Sequence, residues 1–388
     1  MATPERAAPT MTITEEMAGR AEARGLLTLG VEEEYLLVDA VEPRAVEAVE
    51  DVFAELPDDL RGSVQHEIIR SQIESASPPQ LELRDLRDSM TWLRAGLAAS
   101  AVRAGARLVA VGAAPASGPR ARMVDEPRYR RIHEHFGDLS PGSGLNGMHV
   151  HVSVPDPDTG VQILNHLRPW MPIFQAATAN SPLSGGHDTG YASWRSLLWE
   201  RWPTVGPTPY LESHEQYETL VSDLVASGAM LDKGMLYWYA RLSANYPTVE
   251  IRMGDVCPTV DDAMLLAALA RGLVATLLRE VRDGRPASNV PHPLLMAAHW
   301  RAAHDGLEGL NIDMATRQTR PAWKLMRQLF EYVSPELERH GDLETAAELL
   351  GRLRDRGTGA ARQRALLSRQ GTVADVVDWL AAATRCER

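Results

Sequence analysis

The chain has 388 residues, of which 44% are hydrophobic and 24% are charged, and this balance excludes disordered, collagenous and disulfide-knot proteins. Its formal net charge of -12 argues against general nucleic-acid binding and against docking to anionic membranes, because both need clustered cations. Two cysteines, Cys257 and Cys386, cannot form a disulfide framework, so we expect a cytoplasmic protein.

The N-terminal segment differs from the rest of the chain in composition. Residues 1–25 are rich in Ala, Glu, Arg and Thr and have no apolar stretch typical of a secretory signal, so we predict a flexible tail there. We predict a single domain over residues 26–388, with a helical C-terminal part. The most apolar stretch, 263–278, is interrupted by Arg271 and Gly272 and is too short to span a membrane.

Hydrophobic periodicity predicts most of the strands in the first two thirds of the chain and mainly helices after them. The predicted strands are 28–38, 66–75 (continued at 80–83), 107–114, 147–154 and 248–253. The predicted helices are 45–56, 84–106, 125–136, 165–179, 192–202, 214–227 and 259–282, and after a Pro-rich connection at 285–293 the rest is helical with breaks near 310–320 and 356–359. This order predicts an α+β fold with an antiparallel or mixed sheet.

Four of the predicted strands carry ligand-type residues on one face and apolar residues on the other. Side chains two positions apart share a face of a strand. The polar faces hold Glu32 and Glu34; Arg70, Gln72 and Glu74; His149 and His151; and Glu250 and Arg252. If the four strands join in one sheet, these faces converge on one site.

Converging carboxylates repel each other unless cations neutralise them. Several glutamates together with histidine suit oxygen-preferring ions such as Mg²⁺ or Mn²⁺. A magnesium site in turn favours a nucleoside triphosphate, whose phosphates supply further ligands, and arginines at the rim would hold a phosphate during transfer.

Each of these patterns has a structural alternative when it stands alone. The glutamate triplet at 32–34 fits a charged edge strand that opposes aggregation. The two histidines within 149–151 fit satisfied polar residues, and the Glu-x-Arg pattern at 250–252 fits a cross-strand salt bridge. All three alternatives must hold together for the site to disappear.

Other motifs carry less information. Gly142, Gly144 and Gly147 form a G-x-G-x-x-G pattern, but it precedes a strand instead of opening a helix, so it does not predict a dinucleotide fold. The glycine-rich loop instead lets backbone approach a substrate.

Cys257 fits a buried structural cysteine better than a nucleophile. In the stretch 194–202 we interpret the tryptophans as helix packing and keep Arg195 as a phosphate or carboxylate ligand.

Five separated blocks, in order, resemble a known family. They are LGVEEEYLLVD, GMHVHVSVPD, HDTGYASWRSLLWERWPT, VEIRMGDVCPTVDDAMLLAALARGLV and HWRAAHDGL. The sequence is similar to the bacterial carboxylate–amine ligases known as glutamate–cysteine ligase type 2, from about Leu26 to beyond Arg364. More distantly, GMHVHVS and VEIRMGD resemble blocks of glutamine synthetases. That likeness implies a glutamine synthetase-like catalytic domain, with a curved, mainly antiparallel sheet flanked by helices.

The resemblance also implies roles for individual residues. The implied metal ligands are Glu32, Glu34, Glu74, His149 and Glu250. Glu67 matches a further acidic group of some relatives, and His151 matches a histidine near the nucleotide phosphates. Arg252 matches an arginine that contacts the transferred phosphoryl group or the glutamate carboxylate. Arg195 and Arg241 match other arginines that bind substrate or nucleotide, and the implied catalytic residues are Glu32, Glu250 and Arg252.

The resulting hypothesis is an ATP-dependent carboxylate–amine ligase with Mg²⁺ (or Mn²⁺). L-glutamate would be activated as an acyl phosphate, and an amine such as L-cysteine would give a γ-glutamyl amide. Three alternatives stay open: a phosphotransferase of the guanidino kinase type, a non-catalytic binding protein on the same fold, and a zinc hydrolase on the two histidines, which the excess of glutamate disfavours. We expect small-molecule substrates, no nucleic-acid or membrane partner, and leave a homo-oligomer open.

Overall fold

The computed structural model describes residues 15–118, 121–139, 144–369 and 371–385. Within these residues the central element is a seven-stranded sheet in the order β2-β3-β1-β5-β9-β8, with β4 also paired to β1. The strands among the described residues are β1 (Leu29–Asp39), β2 (Val64–His66), β3 (Gln72–Ala76), β4 (Ala106–Val109), β5 (Gly147–Ser153), β6 (Leu183–Ser184), β7 (His187–Asp188), β8 (Ala240–Leu242), β9 (Thr248–Asp255), β10 (Leu310–Asp313) and β11 (Gln318–Pro321). Every strand pair of the large sheet is antiparallel.

Helices flank the sheet. They are α1 (Glu15–Arg24), α2 (Val49–Ala54), α3 (Asp58–Arg61), α4 (Leu83–Arg103), α5 (Pro127–Phe136), α6 (Pro157–Leu167), α7 (Met171–Thr178), α8 (Trp194–Trp199), α9 (His214–Ala226), α10 (Val260–Arg282), α11 (His292–Asp305), α12 (Ala322–His340), α13 (Leu343–Arg356), α14 (Gly359–Ser368) and α15 (Val373–Thr384). The expected mainly antiparallel sheet with flanking helices is therefore confirmed.

The long helix α10 forms the centre of the apolar core. Thr259 caps its first turn, because the threonine side chain accepts a hydrogen bond from the Asp262 N–H at 3.2 Å. Nearly all of its side chains up to Leu278 are buried, and they pack with Val31, Val150 and Val249 from the sheet. A helix that is apolar on most of its circumference belongs in the interior of a domain. The sheet is thereby fixed along one face.

The register of the sheet explains how polar residues far apart in sequence meet. Residues directly opposite each other in antiparallel strands have neighbouring side chains on the same face. Glu34 pairs with Glu74, Glu32 pairs with His149, and His151 pairs with Glu250. The four predicted polar faces therefore belong to one sheet surface, except that Arg70 lies outside β3.

A β-bulge interrupts the pairing of β5 with β9. Met148 pairs with Gly254 and Val150 pairs with Ile251, so β9 advances three residues while β5 advances two. The extra residue on β9 lies opposite His149 and beside Arg252. Bulges of this kind re-aim side chains and are common next to functional sites.

The back of β1 contains a buried ion pair. Arg94 on α4 donates from Nε and Nη2 to the two oxygens of Glu33 at 2.9 and 2.5 Å, and the Tyr35 hydroxyl donates to the same carboxylate at 2.7 Å. Arg94 also donates to the Cys257 and Pro258 carbonyls, just beyond β9. Cys257 is itself buried, as predicted for a structural cysteine.

Several predicted elements need correction. The predicted strand 66–75 is two strands, because residues 67–71 leave the sheet between β2 and β3, so Arg70 does not share a strand face with Glu74. Arg70 donates instead to the Met123 carbonyl at 3.1 Å. The predicted helix 165–179 is divided into α6 and α7, and Pro172 lies in the first turn of α7, where its missing N–H costs nothing.

Three further regions differ from the prediction or lie outside the described residues. Within the expected tail, Glu15–Arg24 forms helix α1, whose Ala21 packs with Leu26 and Leu81. The predicted break at 310–320 is the β10–β11 hairpin. Gly142 and Cys386 lie outside the described residues, and the division into a tail and one domain stays a prediction. Among the described helices, none has the length and apolar character needed to cross a membrane.

Candidate active site

A cavity of about 1370 Å³ lies over the polar face of the sheet. Its lining includes Glu32, Glu34, Glu74, His149 and Glu250 from the sheet, together with residues from α5, α8 and the segment 232–246. Pockets for one drug-sized ligand are typically about 300–1,000 Å³. The cavity therefore has room for more than one small substrate.

Histidines and glutamates meet on the floor of this cavity. His149 Nδ1 lies 3.2 Å from Glu32 Oε2 and 3.8 Å from Glu250 Oε1, and its Nε2 lies 3.7 Å from Glu34 Oε1. His151 Nε2 lies 3.4 Å from Glu32 Oε1, and its Nδ1 is hydrogen-bonded to the Thr248 hydroxyl at 3.0 Å. These contacts follow directly from the strand register.

One group on the floor has the spacing of a metal site. Glu32, His151 and Glu250 each offer one ligand atom, and these atoms lie within 4.8 Å of one another. His151 Nε2 is buried and has no hydrogen-bond partner among the described residues. The group contains His151, which we expected near the phosphates, whereas His149, the expected ligand, lies beside it. Two carboxylates and an imidazole fit a divalent cation.

The carboxylates at this end of the site are held in the ionised form. Burial alone would raise the pKa of Glu32, but the neighbouring His151 and His149 outweigh it and bring the pKa well below its usual value. Burial would likewise raise the pKa of Glu250, and Arg241 and Arg252 bring it down to about 2. Burial opposes charge on His151, yet Glu32 raises the pKa of this histidine. Negative charge therefore persists here near neutral pH.

The other end of the floor has carboxyl groups without matching cations. Burial and the neighbouring Glu34 raise the pKa of Glu67 to about 7. Burial, together with Glu32, Glu67 and Glu34, raises the pKa of Glu74 well above its usual value. Carboxyls that cannot all ionise when left to themselves are stabilised by a cation from solution. Binding of a cation would therefore stabilise the ionised forms of Glu67 and Glu74, as it would those of Glu32 and Glu250.

Arginines lie next to these carboxylates in the cavity lining. Arg241 on β8 donates from Nε to Glu250 Oε2 at 2.7 Å and from Nη2 to Oε1 at 3.2 Å. Arg252 Nη1 lies 3.3 Å from Glu250 Oε1. Arg195 Nη1 donates to the Met253 carbonyl at 3.2 Å, and its guanidinium lies 4.8 Å from the centre of the Trp199 ring.

Two of these arginines have spare buried donors. Arg252 Nε and Arg195 Nε are buried without a hydrogen-bond partner among the described residues. Burial and the adjacent Arg241 lower the pKa of Arg252. Buried N–H groups without acceptors are costly, and an anion in the cavity would satisfy them. Arg195 and Arg252 are therefore suited to bind a phosphate or a carboxylate.

The structure identifies residues that position Arg195 and that the sequence did not reveal. Asp255, at the end of β9, accepts hydrogen bonds from the Ser181 and Ser193 hydroxyls at 2.7 and 2.8 Å. Ser181 in turn accepts from the Arg195 backbone N–H at 3.1 Å. A Cβ atom at Gly147 would lie only 2.4 Å from Arg195 Nη2, so the close approach requires glycine. No motif marks these contacts, since the partners are far apart in sequence.

Most of the predicted site residues meet here. The cavity lining contains Glu32, Glu34, Glu67, Glu74, His149, Arg195, Arg241, Glu250 and Arg252. His151 lies behind them, against Glu32. Arg70 is not in the lining, because it lies in the loop between β2 and β3. The lining also contains the ion pair of Arg128 and Asp232, which no sequence pattern predicted.

A smaller cavity of about 230 Å³ adjoins the large one. The two share Arg241 and Tyr246 in their walls. The smaller cavity is otherwise lined by apolar and polar groups that include Tyr217, Leu242 and Thr248. Its size suits one part of a ligand whose remainder lies in the large cavity.

Two solved structures share this fold. A bifunctional glutathione synthetase from Pasteurella multocida matches with a TM-score of 0.67 and 16% identity over 95% of this chain, and the chain spans 54% of that longer protein. A glutamate–cysteine ligase from Francisella tularensis in complex with AMP matches with a TM-score of 0.68 and 11% identity, over 93% of this chain and 89% of that one. At these identities the likeness shows the fold.

Sequence comparison gives the family. Two relatives named "Putative glutamate--cysteine ligase 2", from Salinispora tropica and Salinispora arenicola, are 50% identical over 364 and 360 residues, which is 92% of this chain and 95% of each relative. A relative from Mycobacterium sp. (strain KMS) is 43% identical over 359 residues, covering 92% of this chain and 98% of its own length. The profile of glutamate–cysteine ligase family 2 matches residues 28–379. The chain therefore belongs to glutamate–cysteine ligase family 2.

Proposed function

We propose that this protein is an ATP-dependent ligase that joins the γ-carboxyl group of L-glutamate to an amine such as L-cysteine. The observation that carries the proposal is that carboxylates and arginines lie next to each other in the lining of one cavity. Glu32 and Glu250 offer ionised carboxylates, and Arg195 Nε and Arg252 Nε are buried donors without a hydrogen-bond partner among the described residues. A metal-bound triphosphate needs both kinds of group. Family membership supports the same reaction class.

A divalent cation fits the floor of the cavity. Glu32, His151 and Glu250 would hold one ion, and Glu34 and Glu74 lie close enough in the sheet to help hold another. Mg²⁺ and Mn²⁺ accept this donor set. Such ions, when bound, would offset the negative charge of the triphosphate against the carboxylates.

The first chemical step makes the carboxyl group reactive. A carboxylate is a poor electrophile towards amines, so an oxygen of the glutamate γ-carboxylate attacks the γ-phosphorus of ATP and the bond to ADP breaks. The product is an acyl phosphate. Arg252 and Arg195 would stabilise the charge on the transferring phosphoryl group, and one such donor is typically worth about 3 kcal/mol.

The second step forms the amide. The nitrogen of the amine attacks the acyl carbon, the bond to the phosphate oxygen breaks, and the amine proton leaves with the phosphate. No oxidant or reductant is needed. The volume of the large cavity allows the triphosphate and glutamate to lie side by side, and the smaller cavity behind Arg241 and Thr248 provides room for the nucleoside end.

The test separates activation of the carboxylate from the choice of amine. ATP labelled with ¹⁸O in the β–γ bridge is incubated with Mg²⁺ and L-glutamate but no amine, and positional exchange of the label is measured. Reversible acyl-phosphate formation scrambles the label only when glutamate is present. Phosphate release is then measured with L-cysteine and a panel of other amines, with product masses recorded in parallel.

We expect glutamate-dependent exchange, and phosphate release matched by a γ-glutamyl amide for at least one amine. An absence of exchange with glutamate would refute activation of this carboxylate. ADP formed together with a phosphorylated small molecule, and no amide, would instead identify a phosphotransferase of the guanidino kinase type.

A further inference from the structure

We propose that Arg128 and Asp232, at the rim of the large cavity, are positioning residues that hold the metal-binding carboxylate Glu250 in place through Arg241. The inference rests on the proposed function in one respect, namely that Glu250 binds a metal ion. It adds two residues, more than 100 positions apart in sequence, to the machinery of the site.

The rim ion pair has a defined geometry. Arg128 on α5 donates from Nε to Asp232 Oδ2 and from Nη2 to Asp232 Oδ1, both at 2.9 Å. Both side chains are partly exposed and line the cavity. A bidentate guanidinium–carboxylate pair fixes orientation as well as distance, which a single surface salt bridge does not.

Asp232 begins a tight turn that packs directly beneath the pair. The Met235 N–H donates to the Asp232 carbonyl at 3.1 Å, and the Leu236 N–H donates to the Lys233 carbonyl at 3.2 Å. A Cβ atom at Gly234 would lie 3.0 Å from both Arg128 Nη2 and Asp232 Oδ1. The turn therefore cannot shift without disturbing the ion pair.

The turn connects the pair to Arg241. Arg241 Nη1 donates to the carbonyls of Gly234 and Leu236 at 3.2 and 3.0 Å. Its other two nitrogens, Nε and Nη2, donate to the two oxygens of Glu250. One guanidinium thus joins the rim turn to the carboxylate on the floor, and the turn sets the direction from which Arg241 approaches Glu250.

The helix that carries Arg128 does not depend on this ion pair. Ile132 on α5 is fully buried in the core, and His135 Nε2 lies 2.8 Å from the Gly228 carbonyl oxygen. Loss of the Arg128 side chain should therefore loosen the turn without releasing α5. Arg130, two residues along the same helix, pairs with Asp125 in its own segment and provides a matched control.

The experiment measures Mn²⁺ binding by the full-length protein without nucleotide or amine, using electron paramagnetic resonance titration. Outer partners of metal ligands typically change affinity by about 10–100-fold. This pair is further removed, so we expect Arg128→Ala and Asp232→Asn each to weaken binding by about three- to tenfold, against an unchanged Arg130→Ala. The double variant should equal either single variant, because both interrupt one connection.

Two comparisons distinguish a positioning role from a general loss of structure. The urea midpoints of Arg128→Ala and Arg130→Ala should agree, and in an Arg241→Ala background the Arg128→Ala change should have no further effect on Mn²⁺ affinity. Wild-type affinity in both Arg128→Ala and Asp232→Asn, or an undiminished effect in the Arg241→Ala background, would overturn the inference. These titrations give an answer even if no ligase activity is found, so the two proposals fail separately.

Discussion

Adjacent glutamates on β1 face entirely different surroundings. Glu33, on the back of the strand, receives two hydrogen bonds from Arg94 and one from Tyr35. Glu32 and Glu34, on the front, lie beside His149 and other carboxyl groups. Glu33 is neutralised by the protein's own arginine and supports the fold, whereas Glu32 and Glu34 face the cavity, where we propose that they bind a cation from solution.

The largest effect should come from the back of the strand. Arg94→Met leaves Glu33 buried without its cation, so we expect the free energy of unfolding to fall by about 3–5 kcal/mol. Urea unfolding measures it. Arg103→Met, at the end of the same helix, breaks an exposed pair with Glu55 and should cost less than about 1 kcal/mol. Equal losses in the two variants would mean that the buried pair has no special role.

On the front of the strand the effect should be on activity. Glu32→Gln keeps the shape of the side chain but removes the charge that His149 and His151 face, and we expect turnover to fall about a hundredfold or more, worth ~3 kcal/mol. The free energy of unfolding should change by less than about 2 kcal/mol. Glutamate-dependent isotope exchange and urea unfolding are measured on the same preparation. Retained exchange would remove Glu32 from the site.

The uncompensated carboxyls should make stability depend on pH. The pKa of Glu67 is raised by burial and by Glu34 from 4.5 to about 7, so between these values the folded state keeps a proton that the unfolded chain has released. Stability therefore decreases as pH rises through this window, by up to about 3 kcal/mol.

Glu67→Gln removes the titrating group and with it this loss of stability. The free energy of unfolding of the variant, compared with that of wild type, should therefore increase from pH 5 to pH 8 in metal-free buffer. Urea unfolding at both pH values measures the difference, and exposed Glu42→Gln serves as the control. Saturating Mg²⁺ should reduce the difference, because the ion replaces the missing positive charge. A difference that is independent of pH would show that Glu67 ionises normally.

The smallest predicted effect concerns the close approach of Gly147 to Arg195. Gly147→Ala places a Cβ atom against Arg195 Nη2 and should lower kcat/KM by about tenfold, or ~1.4 kcal/mol. Gly62→Ala, where nothing lies within 4 Å of the added atom, should leave kcat/KM unchanged. A normal rate in Gly147→Ala would mean that Arg195 tolerates displacement.

The sequence predicted the strand faces of the site residues correctly where polar and apolar residues alternate along a strand. Alternation placed Glu32, Glu34, His149 and Glu250 on polar strand faces, and the antiparallel register then brought those faces together. It failed at Arg70, because a short loop splits the predicted strand and no local signal marks where pairing stops.

Other parts of the site had no local signal at all. Strand β8 is only three residues long, too short to show a period, so Arg241 was expected in the site only from the family resemblance. The pair of Arg128 and Asp232 joins positions 104 residues apart. Such contacts depend on tertiary packing, which a single sequence does not encode in its spacing. The roles of the site residues stay predictions until the variants above are measured.

The bulge in β9 has a consequence for how the site tolerates change. One strand supplies Glu250 to the floor and, beyond the extra residue, Asp255 to the hydrogen bonds that hold Arg195. The spacing between Glu250 and the hydrogen bonds that hold Arg195 is thus set by the length of a single strand. Inserting or deleting one residue between Glu250 and Asp255 would turn one of these two side chains to the other face of the sheet.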